Sequence, residues 1–207
     1  MPLIDLSLPV GRSALPRGTR RFLREAHRRI QDFQRAASIP GFVPSDFELA
    51  HAVLRDLHAA DVAPGSMFCE WGSGFGVVAC LAAMLGFEAC GIEIEPDLVD
   101  AAQELADDFD VPVRFVQGSF IPKAAAACFK DSDGFAWLTT DARYPYEDLG
   151  LEPDDFDVIF AYPWPDEEDV TGQIFERCAA EGAVLITYHG TETVRQRRKA
   201  ANRRRKT

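Results

Sequence analysis

Three glycines at alternate positions, Gly72, Gly74 and Gly76, constrain the fold of this chain more than any other feature. They follow a short apolar run that predicts a buried strand over 67–71, and they precede an alanine-rich run that predicts a helix over 77–85. A glycine turn at this place allows positive φ angles and a close approach of the backbone to a ligand. The helix N-terminus adds free N–H groups and the positive end of its dipole. Strand, glycine turn and helix are together typical of a site for a nucleotide-sized ligand.

The spacing of the glycines leaves two classes of ligand open. The dinucleotide fingerprint G-x-G-x-x-G/A fails when it is counted from the first glycine, but Gly74, Gly76 and Ala79 can satisfy it. The fuller pattern, E-x-G-x-G-x-G, begins at Glu70. A dehydrogenase therefore stays among the alternatives on spacing alone.

An acid follows the second apolar run, at Glu93. Rossmann-like folds place a carboxylate for ribose hydroxyls about 20 residues after the glycine turn. The E-x-G-x-G-x-G pattern, with a second strand and an acid in this order, resembles the first motifs of the class I S-adenosylmethionine-dependent methyltransferases. The resemblance implies a Rossmann-like α/β sheet with strand order 3-2-1-4-5 and S-adenosyl-L-methionine as cofactor. Apolar residues at helical spacing over 17–37 predict an N-terminal helical extension.

The same resemblance assigns cofactor contacts along the chain. The predicted cofactor-binding residues are Glu70, Gly72, Gly74, Gly76, Glu93, Ser119 and Phe120. Methyltransferases usually carry an aspartate where this chain has Ser119, and the acid there meets the adenine amino group. A serine hydroxyl can accept the same hydrogen bond.

Two phrases narrow the resemblance to one branch. The phrase Phe-Val-Pro-Ser over 42–45 precedes a predicted helix, and Gly-Phe-x-Ala-x-Gly-x-Glu over 86–93 contains the second predicted strand. Both are similar to a branch that contains mitochondrial protein-lysine methyltransferases and bacterial relatives. In that branch the first segment folds over the cofactor pocket, which makes Phe42, Val43 and Ser45 candidates for a lid. The alternative is a plain helix start, with Ser45 as N-cap of a capping box.

Aromatic residues and prolines follow the fourth predicted strand, 156–161. Ligands of open α/β sheets lie outside the carboxyl ends of the strands, so this phrase is expected beside the glycine turn. Aromatic rings can contact a sulfonium or an amine through cation–π interactions, and a carboxylate can hold an ammonium or accept its proton. We predict Tyr162, Trp164 and Asp166 as the catalytic residues. The alternative, strongest for the two glutamates that follow, is a helix that starts at Pro165 and carries acids in its first turn.

Charge separates the ends of the chain from its body. Residues 1–40 and 195–207 are basic, whereas residues 41–194 carry 30 acids and six bases. An acidic body argues against a broad phosphate-binding face and favours a cationic substrate. We therefore expect an amine-bearing acceptor, with protein lysine as one candidate.

Nucleic acid is the second acceptor class, since basic ends can bind it. Two departures count against it. The Pro-Trp-Pro phrase of tRNA guanine-N7 methyltransferases is preceded by aspartate and followed by lysine, where this chain has Tyr162 and Asp166. The Asn/Asp-Pro-Pro-aromatic signature of amino-directed nucleic-acid methyltransferases is absent as well. A non-catalytic binding module that kept the fold is the third alternative.

We predict three segments: a basic arm and helix over 1–40, a methyltransferase domain over 41–190, and a basic tail over 191–207. After the fifth predicted strand, 183–188, no run supplies both of the remaining strands of the usual methyltransferase sheet. Either the sheet lacks its last two strands, or the insertion over 121–155 replaces one. A homodimer partner could cover the exposed edge.

The five cysteines are odd in number and show no C-x-x-C spacing. This pattern predicts reduced thiols in a cytoplasmic protein and argues against a zinc site. The longest apolar run is too short to span a bilayer. We therefore predict a cytoplasmic enzyme with no metal site and no membrane span.

Overall fold

The computed structural model describes residues 2–11, 13–36, 39, 41–122, 125, 143–190 and 193–200. Seven strands lie within this part of the chain and form one sheet. They are β1 (Leu3–Asp5), β2 (Met67–Trp71), β3 (Glu88–Glu93), β4 (Arg114–Gln117), β5 (Val158–Ala161), β6 (Val184–His189) and β7 (Thr193–Lys199).

Six α-helices and one 3₁₀ turn connect the described strands. The helices are α1 (Arg17–Ala36), α2 (Phe47–Ala60), α3 (Val77–Met84), α4 (Pro96–Asp108), α5 (Pro145–Leu149) and α6 (Glu168–Cys178), and the 3₁₀ turn is Pro153–Asp155. None of the described helices is long and apolar enough to cross a membrane.

The strand order across the sheet is β1-β7-β6-β5-β2-β3-β4. Strands β2 to β6 are parallel to one another. Numbered among themselves along the chain, these five strands follow the predicted order 3-2-1-4-5. The order reverses between β2 and β5, so their carboxyl ends form the crevice where ligands bind in such sheets.

The expectation that the sheet lacks its last two strands is wrong. Strand β7 pairs antiparallel with β6, and β1 pairs antiparallel with β7, with Leu3 opposite Lys199. Both strands lie outside the range 41–190 predicted for the domain. The edge of β6 therefore needs no dimer partner to cover it.

Strand β7 was not predicted from the sequence because its side chains are long and basic. The Nζ of Lys199, which is buried, donates a hydrogen bond to the carbonyl of Ala179 at the end of α6. The buried Arg197 lies against Gly172 of α6. Long basic side chains can cover apolar surface with their methylene groups, so an edge strand of this kind shows no apolar run.

Three local predictions differ from the structure. Helix α2 is capped by Asp46 rather than Ser45, because Oδ1 of Asp46 accepts the N–H groups of Glu48 and Leu49 at 3.0 Å each. The stretch 144–155, whose acids and prolines predict a loop, contains α5 and the 3₁₀ turn. Helix α6 begins at Glu168 and not at Pro165. The sequence also predicts a short helix over 123–129 and an extra strand over 135–139, and these fall largely or wholly outside the described residues.

The core has two layers, one on each face of the sheet. Helices α1 to α4 pack on one face, where α1 buries the stripe that contains Phe22 and Ile30. Helices α5 and α6 pack on the other face, around Phe175. Neighbouring strand residues alternate between the layers, as Phe68 and Cys69 do. The N-terminal helical extension predicted from the sequence is thus an integral part of one layer.

Candidate cofactor site

A cavity of about 400 Å³ opens at the carboxyl ends of β2, β3, β4 and β5. Its lining contains eight of the ten predicted site residues: Glu70, Gly72, Gly74, Glu93, Ser119, Phe120, Tyr162 and Trp164. Gly76 and Asp166 do not line it. The fold therefore brings together most of the residues selected from the sequence.

The three glycines of the turn have positive φ angles of 68°, 52° and 66°, yet they face different surroundings. A Cβ at Gly72 would meet nothing within 4 Å, so the backbone there borders open space in the cavity. A Cβ at Gly74 would lie 2.8 Å from the ring of Phe42. At Gly76 it would lie 2.2 Å from the ring of Phe115, in the core. Gly72 is thus the glycine that leaves room for a ligand, and Gly76 serves packing.

Glu70, the first acid of the motif, ties β2 to α3. Its Oε2 accepts the N–H of Ala79 at 2.8 Å, in the first turn of α3. Burial raises the pKa of Glu70 well above its ordinary value, against the lowering effect of this N–H, and the nearby charge of Glu93 raises it further. The carboxyl group therefore orients the helix that follows the glycine turn.

Glu93, at the end of β3, binds the glycine turn through backbone groups. Its Oε2 accepts the N–H of Gly74 at 2.7 Å, and its Oε1 accepts those of Ile94 at 2.7 Å and Glu95 at 3.1 Å. Burial raises the pKa of Glu93, while the three N–H donors lower it. A carboxylate has about four acceptor sites, so Glu93 can still accept a hydroxyl of a ligand in the cavity.

Ser73, between the first two glycines, is a cavity residue that the sequence analysis missed. Its Oγ is buried and has no hydrogen-bond partner in the part of the chain that the structure describes. Buried hydroxyls are normally hydrogen-bonded, so this atom is suited to a polar group of a ligand. The motif treats its position as variable, which is why no sequence signal selected it.

An aromatic wall lies opposite the glycine turn. The rings of Trp71 and Phe120 stack with centroids 4.9 Å apart and an interplanar angle of 11°. The hydroxyl of Tyr146 donates to the carbonyl of Phe120 at 2.7 Å and holds this segment in place. The Oγ of Ser119 accepts the N–H of Ile121 at 3.2 Å, so the serine also shapes the turn that presents it.

The segment after β5 supplies another wall. Tyr162 packs edge-to-face on Tyr188, with centroids 4.7 Å apart, and burial raises the pKa of its hydroxyl. Trp164 lines the cavity nearby. The acid that the structure places in the lining is Glu167, which is 5% exposed, whereas Asp166 is exposed with a φ of 75°. Asp166 therefore lies outside the cavity lining, and its catalytic role stays a prediction.

The lid candidates lie at the cavity as well. Phe42, Val43 and Ser45 are all part of its lining. Phe42 stacks on Phe75 at 5.7 Å, and Phe33 of α1 packs edge-to-face on both rings. The side chain of Val43 is 50% exposed, so the segment covers the cavity only in part.

The lining of the cavity is acidic. Four glutamates line it: Glu70, Glu93, Glu95 and Glu167. Among the lining residues that the structure describes, none is lysine, arginine or histidine. Clefts lined by charges of one sign concentrate ligands of the opposite sign, so the cavity favours a ligand with positive charge.

His189 follows the fifth predicted strand, where the sequence allows either a general base or a polar strand end. In the structure it ends β6 and is bound on both sides. Its Nε2 lies 2.8 Å from Oγ1 of Thr187, and its Nδ1 lies 2.6 Å from Oε1 of Glu168. It is not part of the cavity lining. These contacts agree with the interpretation of His189 as a polar strand end.

The structure is similar to three solved methyltransferases. An RNA methyltransferase from Salinibacter ruber, in complex with S-adenosyl-L-homocysteine, gives a TM-score of 0.50 at 20% identity and covers 75% of this chain and 92% of its own. An O-methyltransferase from Bacillus cereus, also in complex with that compound, gives a TM-score of 0.52 at 14% identity and covers 84% of this chain and 66% of its own. A methyltransferase from Geobacter sulfurreducens gives a TM-score of 0.53 at 13% identity and covers 91% of this chain and 92% of its own.

No protein-family model and no curated protein matches the chain. At such identities the structural likeness establishes the fold. The chain has the Rossmann-like α/β fold of the S-adenosylmethionine-dependent methyltransferases. None of these three proteins is named as a protein-lysine methyltransferase, so the branch inferred from 42–45 and 86–93 stays a prediction.

Proposed function

We propose that this protein is an S-adenosylmethionine-dependent methyltransferase that acts on an amine. The observation that carries the proposal is the acidic lining of the cavity beside the glycine turn. S-adenosylmethionine has a sulfonium and an ammonium group, and an amine acceptor is itself cationic before it loses its proton. The lining has four glutamates, of which burial raises the pKa of Glu70 and Glu93, and no cation among its described residues, which suits both molecules.

The residues present suit the cofactor. Gly72 offers open space next to the backbone, and Glu93 has acceptor capacity left for ribose hydroxyls. The Oγ of Ser73 offers a hydrogen bond that no described protein group takes. Ser119 and the ring of Phe120 border the same space and would contact the adenine.

The cofactor supplies a methyl group that the sulfonium already activates, so the protein has mainly to position the acceptor and receive its proton. Tyr162 and Trp164 would hold the acceptor amine by cation–π contacts. Glu167 has the position to accept the proton from the amine, because it is buried in the same wall. Asp166 remains a proposal from the sequence alone. Protein lysine is the acceptor that we test first.

Titration calorimetry with S-adenosylmethionine and S-adenosylhomocysteine tests the cofactor. We expect micromolar or tighter binding by the wild type and its loss in Glu93→Ala. Glu88→Ala is the matched control, because Glu88 is an exposed glutamate on the same strand. A folded wild type that binds neither compound would refute the proposal.

Transfer of radiolabelled methyl groups tests the acceptor, with lysine peptides, small amines and RNA assayed in parallel. Labelled amines would support the main proposal. RNA is the second candidate, favoured by the basic ends of the chain. Cofactor binding without transfer to any acceptor would favour the non-catalytic module.

A further inference from the structure

Helix α1 carries seven arginines, and its two halves differ in what these arginines contact. Those of the second half are bound by carboxylates: Arg28 by Glu25 and Asp32, Arg29 by Glu25 and Asp108, and Arg35 by Asp32. In the first half, Arg17, Arg20 and Arg24 are exposed, and no carboxylate among the described residues pairs with them. Three guanidinium groups are thus available to a partner.

These three arginines lie along one open groove of about 680 Å³. The groove also contains Leu15, Leu23 and His27, and Glu48 of α2 is the one acid that lines it. The Nδ1 of His27 lies 2.7 Å from the carbonyl of Leu23, and this contact fixes the orientation of the ring. The groove therefore combines a positive wall with an exposed aromatic ring.

The spacing of the arginines suits a repeating anion. Positions 17, 20 and 24 are three and four residues apart, which puts them on one face of the helix. They span about 10 Å at 1.5 Å per residue. A row of three positive charges of this length can contact a few consecutive phosphates of a nucleic-acid strand.

This groove differs in charge from most of the protein. Residues 41–194 carry 30 acids against six bases and would repel a polyanion. The groove and the cavity are linked by α1, because Phe33 in the second half of the helix packs on Phe42 and Phe75 at the cavity. Arg24 and Phe33 are about 14 Å apart along the helix axis.

We propose that the arginine groove of α1 is a docking surface for single-stranded RNA. An acidic protein segment would satisfy the arginines equally well. However, proteins that bind single strands combine a basic groove with rings on which bases stack, and His27 provides such a ring at the end of the row. The proposal concerns a surface outside the cavity and does not depend on the acceptor that the cavity takes.

The test compares two triple variants of the full chain that change the charge equally on the same helix. One is Arg17→Gln/Arg20→Gln/Arg24→Gln, and its matched control is Arg28→Gln/Arg29→Gln/Arg35→Gln. Binding of a fluorescently labelled single-stranded RNA of mixed sequence is measured by anisotropy over a range of salt concentrations. Circular dichroism verifies that each variant is folded. Titration with S-adenosylmethionine shows whether its cavity still binds the cofactor.

We expect the groove variant to lose at least tenfold in RNA affinity. The slope of log K against log salt should fall by about 2, since single strands give about 0.7 per neutralised phosphate. The control should keep most of the slope. Equal losses in both variants would overturn the proposal, as would a wild type that does not bind RNA.

A second probe separates the two kinds of anionic partner. A polyglutamate peptide that binds the wild type more tightly than RNA does, and loses its affinity only in the groove variant, would assign the surface to an acidic protein and overturn the RNA proposal. RNA binding that is lost only on removal of residues 201–207 would overturn it too. Cofactor binding is measured on the same samples, so a failed cofactor site is distinguished from a failed groove.

Discussion

Alanine substitution at the glycine turn separates the role of ligand binding from that of packing. At both Gly72 and Gly76 the left-handed backbone conformation costs a non-glycine residue about 1–2 kcal/mol. At Gly76 the methyl group would also lie 2.2 Å from the ring of Phe115 and 3.0 Å from the Cβ of Ala102. Overpacking of this kind costs about a further 1–3 kcal/mol. We therefore expect Gly76→Ala to lose about 2–5 kcal/mol of unfolding free energy, and Gly72→Ala about 1–2 kcal/mol.

Ligand binding should show the opposite ranking. The methyl group of Gly72→Ala projects into the open space of the cavity, so we expect at least a tenfold loss of S-adenosylmethionine affinity, or about 1.4 kcal/mol. Folded Gly76→Ala should lose much less. Urea denaturation gives the stabilities, and calorimetry below the unfolding transition gives the affinities. If Gly72→Ala binds like the wild type, the ligand does not occupy this space. If the two variants are equally stable, the packing at Gly76 is not tight.

Three further predictions concern the cap, the edge strand and a buried acid. Asp46→Ala should lower the unfolding free energy by about 0.5–2 kcal/mol, measured with urea, whereas Ser45→Ala should change it little. Removal of residues 193–207 should expose the edge of the sheet and cause aggregation in size-exclusion chromatography, and a stable monomer would contradict this. Burial raises the pKa of Glu70 above its ordinary 4.5, so the unfolded state releases its proton first as pH rises. Wild type should therefore lose stability relative to Glu70→Gln as the pH rises above about 5. Glu88→Gln is the exposed control, and a difference that does not change with pH would contradict this prediction.

The parallel part of the sheet was predictable because its strands are apolar and punctuated by glycine and proline. Strand β2 and helix α4 begin and end at the predicted residues. Strand β7 was not predictable in this way, because one face of an antiparallel edge strand can be covered by long basic side chains. Its seven residues include only one large apolar side chain, Val194.

The cofactor half of the site followed from the motif, since strand, turn and acid occur in a fixed order along the chain. The acceptor half depends on which of several adjacent acids turns inward. The positive φ of Asp166 sends the chain into a turn that exposes this residue and buries Glu167. A periodicity argument cannot foresee one left-handed residue. Ser73 gave no sequence signal for a different reason, because the motif leaves its position variable.

The pairing of β1 with β7 bears on how the protein is made. Leu3 leaves the ribosome long before its partner Lys199, which lies 196 residues further along the chain. Domains begin to fold from the N-terminal side during synthesis, and contacts between distant residues are slow to form. The helices and the parallel strands can therefore assemble while the edge of β6 is still unpaired. Strand β1 cannot pair until β7 has been synthesised. In the cell this interval is when the unfinished sheet is most exposed to chaperones and to pairing with other chains.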